Sequence, residues 1–255
     1  MVNRVMVYGA NSFYGLHLCE ELVSQGIETH AIFIEETRDD LKKLVDEHLL
    51  YIGRNALLEV EQYRSDLLDS EADVVIVCHE ELRCEEEVEY LTQASEISKQ
   101  KEVPLLYIHS VSERANQDKH RVNLKRCMNV LKEEELRYCQ LKVPLLFGPF
   151  QDKTEKVNAL LLEYLDQKTS HIEIDEPVVY VKDATRATYG LLDMLQEGMV
   201  YYLNGRKFDD KACTLPITSS ERNNEVKQDE KIIDVPETSS LEECIKKQID
   251  FLREQ

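Results

Sequence analysis

Along the first 150 residues, short apolar runs alternate with longer stretches in which apolar positions recur every three or four residues. "RVMVY" (4–8) reads as a strand, followed at once by a turn and then by "LHLCEELVSQG", a helical pattern that Gly26 ends. "THAIFI" (29–34) is the next strand, and Leu41, Leu44, Val45, His48 and Leu49 then recur at helical spacing. "ADVVIV" (72–77) and "PLLYIH" (104–109) are continuous apolar runs, as strands buried on both faces require. Between them Val88, Leu91, Ala94 and Ile97 mark a helix with an acidic outer face. A helix over 118–136 and a strand over "CQLKVPLLF" (139–147) complete the series. Repeated β–α units of this kind predict a doubly wound parallel sheet covered on both faces.

After Pro149 the pattern loosens. It predicts a helix over 154–167, a strand over 178–181, a helix over 184–196 and a strand over 199–203. The polar stretch 205–231 reads as a loop. The last segment, "SSLEECIKKQIDFLRE", reads as a helix in which Ser240 and Glu243 form a capping box and Leu241, Ile245, Ile249 and Leu252 line one face. The expected organisation is an α/β unit over 1–150 and a small lobe over 151–255, from which 177–204 returns to the core of the first unit.

Composition narrows the partners. Thirty-one basic against fifty acidic residues leave a net charge of −19. That field disfavours nucleic acid or an anionic membrane as the main partner, and any phosphate must be held by local donors. The longest apolar runs are strand-sized, and "MVNRVMVYGA" carries no secretory apolar stretch. Seven cysteines without a C-x-x-C spacing fit reduced thiols, so a cytoplasmic location is expected. The seven histidines do not pair with one another at metal-ligand spacing, no metal is expected, and His17 is read as partly exposed.

"VYGANSFYG" sets Gly9 and Gly15 between the first strand and the first helix, where a Rossmann unit puts its phosphate-binding turn. Glu35 follows Gly15 by 20 residues at the end of the second strand, the spacing of a carboxylate that binds the adenosine ribose. The combination favours NAD, with Arg38 leaving room for the 2′-phosphate of NADP. The competing reading is a β–α turn kept for packing alone.

From here the sequence resembles the extended short-chain dehydrogenase/reductases, the NAD-dependent epimerase/dehydratase type that acts on nucleotide sugars. "GANSFYG" is similar to that family's glycine turn, with Ser12 at the middle glycine. "SDLLD" (65–69) resembles its step after the third strand, which makes Asp66 the candidate for the adenine contact. "VPLLYIHS" resembles its fifth strand and puts the catalytic serine at Ser110; "LKVPLLFGP" is similar to the segment leading to a "YGP" turn. "VVYVKDATRATYGLLDML", with Asp183 at a helix start, and the final helix resemble the family's closing segments. The resemblance implies a homodimer paired through helices 85–100 and 118–136.

The family's catalysis uses a Ser/Thr, a Tyr and a Lys, of which Ser110 and Lys125 fit two; Lys125 would also hold the nicotinamide ribose. The tyrosine position is Arg121, whose guanidinium has no acceptor and cannot be the base. His109, His120 or Tyr107 would have to take over. The alternative for Arg121 and Lys125 is a basic patch on an amphipathic helix. His79 and Glu80 stand where the family has small residues beside the cofactor. Arg206 is a candidate diphosphate ligand, set against a solvated loop charge. The expected function is an NAD(P)-binding protein acting by hydride transfer on a sugar-type substrate. The alternatives are a catalytically silent relative that senses a nucleotide or binds a protein, and a scaffold with an empty cleft.

Overall fold

The computed structural model describes residues 1–35, 38–64, 71–79, 86–111, 118–133, 138–207, 216–219 and 229–254. The first half is β1 (Arg4–Tyr8), α1 (Phe13–Ser24), β2 (Glu28–Phe33), α2 (Asp39–Ile52), β3 (Leu58–Gln62), β4 (Val74–Cys78), α3 (Glu86–Lys101) and β5 (Leu105–Ser110). Then come α4 (Asp118–Glu133), β6 (Tyr138–Val143), β7 (Leu145–Phe147), α5 (Lys156–Leu165), β8 (Ile172–Ile174), β9 (Val178–Tyr180) and α6 (Val181–Leu191). The chain closes with β10 (Val200–Leu203), β11 (Ile217–Ser219), β12 (Glu230–Ile233) and α7 (Leu241–Glu254).

Among the described residues, eight strands form one parallel sheet in the order β12-β10-β6-β5-β4-β1-β2-β3. Strand succession reverses between β1 and β4, and that switch point opens a crevice at the carboxyl ends of the strands. β4 and β5 owe their central places to unbroken apolar runs: every residue of β4 is buried, as are the first five of β5. One face carries the core built on Leu18, Leu22, Ile76 and Leu191, the other the core built on Met6, Tyr90, Tyr107 and Leu131. This is the expected Rossmann-type architecture. No described helix is long and apolar enough to cross a membrane.

A third core gathers Phe147, Val157, Leu161, Ile174, Tyr180, Ile245 and Ile249, so α5 and α7 pack on the short β7–β9 and β8–β11 pairs. The capping box of α7 forms as predicted, with Ser240 N–H donating to Glu243 Oε2 at 3.1 Å and Glu243 N–H to Ser240 Oγ at 3.2 Å.

Three boundaries differ from the expectation. The strand 139–147 is two strands, because Pro144 has no N–H for the ladder; β6 stays in the main sheet and β7 leaves it to pair with β9. The helix expected from residue 184 begins at Val181, so Asp183 lies inside its first turn, where the helix dipole favours a carboxylate. The stretch 205–231 is not all loop: β11 pairs with β8, and β12, which starts at Glu230, adds an edge strand beside β10.

Candidate functional site

The first turn is built by close approach. Gly9 has φ +67°, and a Cβ there would lie 2.6 Å from the Cys78 carbonyl oxygen. At Gly15 a Cβ would lie 2.5 Å from Gly9 O and 2.8 Å from Ala10 Cα. Ser12 caps α1, its hydroxyl accepting from Gly15 N–H at 2.9 Å. Asn11 bridges the turn to the end of β2, donating to Ile34 O at 2.7 Å and accepting from Ile34 N–H at 2.9 Å. Phe13 and Tyr14, the first two residues of α1, line the adjoining cavity, and N–H groups in that position have no acceptor within a helix.

That cavity, of about 160 Å³, lies outside the carboxyl ends of β1, β4, β5 and β6. Its walls include Ser12, Cys78, His79, His109, Ser110 and Pro144, with Leu44 and His48 of α2 and Phe150 and Asp152 on the far side. Ser12 of the glycine turn and Ser110 thus both line the cavity, Gly9 and Gly15 lie behind it in the turn, and Glu35 is exposed just after β2. Asp66 and Glu80 lie outside the described residues, as do the side chains of Arg121 and His120.

Lys125 is placed on the exposed side of α4 and is not part of the cavity wall. The residues α4 turns inward are Asn123, Cys127 and Leu131. Apolar positions 124, 127, 128 and 131 carry that signal in the sequence, since they mark the inner face at helical spacing.

Sequence reasoning missed the group that α4 helps to hold. His79 Nδ1 is hydrogen-bonded with the Tyr107 hydroxyl at 2.9 Å and ion-paired with Glu87 of α3, and Asn123 Nδ2 donates to the second Glu87 oxygen at 2.6 Å. A buried carboxylate behind a cavity-lining imidazole orients the ring and stabilises its protonated form. Tyr107 itself is fully buried, and burial, followed by Cys127, pushes its phenol well above the ordinary value, so it is no phenolate base. Burial lowers His109 to about 4, leaving it neutral near pH 7 with Nδ1 3.3 Å from Ser110 O.

His17 is buried rather than partly exposed, because the face of α1 that carries it packs against α2. Arg38 is ion-paired with Asp152 and Asp40. Arg206 is no solvated charge: it faces Asp183 at 3.8 Å and Glu237 at 3.4 Å, and its backbone bridges Val178.

Known proteins match this fold in three dimensions. The chain aligns with the Bordetella bronchiseptica enzyme WbmH, solved with NAD+, at a TM-score of 0.66 and 15% identity, over 99% of this chain and 98% of that one. UDP-glucuronic acid 4-epimerase from Bacillus cereus, solved with NAD, aligns at 0.68 and 15% identity over 98% and 99% of the two chains. DesIV, a dTDP-glucose 4,6-dehydratase from Streptomyces venezuelae solved with NAD and TYD, aligns at 0.67 and 12% identity over 99% and 97%. This chain shares their fold. In sequence it matches the uncharacterized protein YjaV of Bacillus subtilis (strain 168) at 32% identity over 66 residues, 26% of this chain and 35% of that protein. No protein-family model matches the chain.

Proposed function

We propose that the chain binds NAD across the switch point and that the adjoining cavity takes a sugar-type substrate, in the manner of a nucleotide-sugar epimerase or dehydratase. The observation that carries this reading is the glycine turn, packed too tightly for any side chain at Gly9 or Gly15 and ending in helix amides beside the cavity. Such a turn fits a pyrophosphate. Gly9, Ser12 and Gly15 shape that end, Glu35 accepts from the ribose hydroxyls, and Asp66 serves the adenine. Arg38, already paired with Asp152, favours NAD over NADP. Similar solved structures hold NAD, and some hold UDP-glucuronic acid or UDP-N-acetylmuramic acid.

Bound there, NAD supplies a hydride acceptor. Ser110 at the cavity wall hydrogen-bonds the substrate oxygen, and His79, backed by Glu87, takes the proton that the resembled family gives to a tyrosine. Residues 151–255, less 177–204, are taken as the substrate lobe, whose α5 and α7 pack in the third core against Phe147 and Tyr180 of the main unit. A homodimer through α3 and α4 accords with the exposed Val122 on α4.

A second reading, a dinucleotide sensor without turnover, is favoured by the exposed Lys125 and by Arg121, which accepts no proton. Calorimetric titration with NAD, NADH and NADP at low salt, repeated on Glu35→Ala, tests the binding. Micromolar binding weakened by the substitution supports it, and no heat at millimolar dinucleotide removes both readings. Incubation with UDP-glucuronic acid then separates them: turnover lost in His79→Gln and Ser110→Ala marks the enzyme, tight binding without turnover the sensor.

A further inference from the structure

We propose that His17, Glu20 and His48 form a binding site for one divalent transition-metal ion of the zinc class, behind the part of the cavity wall that His48 supplies. His17 and Glu20 lie three apart on α1 and so share a face, and His48 reaches them from α2. One ligand atom of each lies within 4.8 Å of the others. In a tetrahedral zinc site such atoms stand about 3.4 Å apart, a contraction within the reach of side-chain rotation.

The state of His17 points to an ion. Its Nδ1 lies 2.9 Å from the Phe13 carbonyl oxygen. A carbonyl only accepts, so Nδ1 carries the hydrogen and Nε2 the lone pair. Among the described residues that Nε2 is buried with no hydrogen-bond partner, a costly condition that a metal bond would relieve. An imidazole N–H on a backbone carbonyl is also how metal-bound histidines are oriented.

The other two groups complete the set. His48 Nε2 is 3.2 Å from Glu20 Oε2, and the ion would take the place of the hydrogen between them, the bound imidazole carrying its one hydrogen on Nδ1. Glu20 Oε1 accepts from Lys182 Nζ at 2.7 Å, which orients the carboxylate but sets a like charge near the ion. Two imidazoles and one carboxylate suit zinc, cobalt or nickel rather than calcium or magnesium. His48 also stacks on Phe150 with ring centroids 4.4 Å apart, so an ion here would pin α2 and the Phe150 turn to α1 and set one side of the cavity.

The test uses untagged full-length protein stripped with a chelator and titrated without dinucleotide, so its outcome is independent of NAD binding. Zn²⁺ is followed by calorimetry and Co²⁺ by its visible absorption. One ion per chain is expected, with tetrahedral cobalt absorption and no thiolate charge-transfer band. His48→Ala and Glu20→Gln, checked for folding by circular dichroism, each weaken binding about tenfold or more. Lys182→Met, which removes the competing ammonium, tightens it. Three results overturn the proposal: no binding at millimolar metal; affinity unchanged in both variants; or a thiolate band abolished by Cys127→Ser, which would place the ion among His79, Glu87 and Cys127 instead.

Discussion

Arg38, at the N-cap of α2, is ion-paired with Asp152 in the turn after β7, 2.8 Å from Nη1 to Oδ2. The pair ties the cavity's α2 wall to the segment that leaves the sheet at Pro144. It also engages the cation that a 2′-phosphate would need. NAD is therefore expected to bind more tightly than NADP. Asp152→Asn removes one partner of the guanidinium and should shift the ratio toward NADP by up to about fivefold, the scale of a partly exposed ion pair. Paired titrations at low salt read the ratio; an unchanged value would remove Arg38 from the ribose end of the site.

The two glycines Gly15 and Gly190 should respond in opposite ways to alanine. At Gly15 the new methyl meets backbone atoms at 2.5 and 2.8 Å, which cannot swing aside, so α1 must shift. A loss of about 1–3 kcal/mol is expected in urea unfolding, together with weakened dinucleotide binding. Gly190, within α6, has nothing among the described residues within 4 Å of the same methyl. Gly190→Ala should gain up to about 1 kcal/mol from helix propensity. A neutral Gly15→Ala would contradict the close approach on which the phosphate turn rests.

Acid should weaken the fold through its buried imidazoles. His109 is lowered to about 4 and His17 to about 3, both mainly by burial. Unfolded histidines titrate near 6.5, so between about pH 6.5 and 4 the unfolded chain binds protons that the folded one does not. Stability is complete above that window and falls as pH drops through it. Each ring accounts for about 3 kcal/mol at the acid end. Urea midpoints from pH 7.5 to 4.5 read the slope, and His109→Gln should flatten it. A wild-type midpoint independent of pH across this range would show that both rings protonate in the folded chain.

The cap of α7 offers a local test. Ser240 and Glu243 exchange hydrogen bonds at the helix start, and the opposite face of the helix fills the third core. Ser240→Ala should cost about 1 kcal/mol. If the third core melts separately from the sheet, the loss will appear only in the earlier of two unfolding transitions.

The parts of the fold legible in the sequence are those set by local periodicity. β4 and β5 were readable as unbroken apolar runs, α7 by its cap and its four apolar positions, and the glycine turn by its place between a strand and a helix. The edge strand β12 was hidden because its sequence, "EKII", pairs on one side only and needs little apolar character. Pro144 was visible, but its effect, sending β7 to pair with β9, depends on a partner more than 30 residues further along the chain.

Chemistry was less legible for the same reason. The H-x-x-E spacing of His17 and Glu20 stands in the sequence, whereas His48 joins them only because α1 and α2 pack face to face. The Arg38–Asp152 pair likewise joins elements far apart in the chain, and His79 meets Glu87 of the next helix only because α3 packs back over the end of β4. The sequence by itself determined the alternation of strands and helices, the parallel sheet and the position of its phosphate turn, because backbone periods of two and 3.6 residues are local properties. Only the tertiary structure decided which charges are already paired and which histidines converge. Those depend on side chains that meet across elements, where burial and partner geometry set the energy.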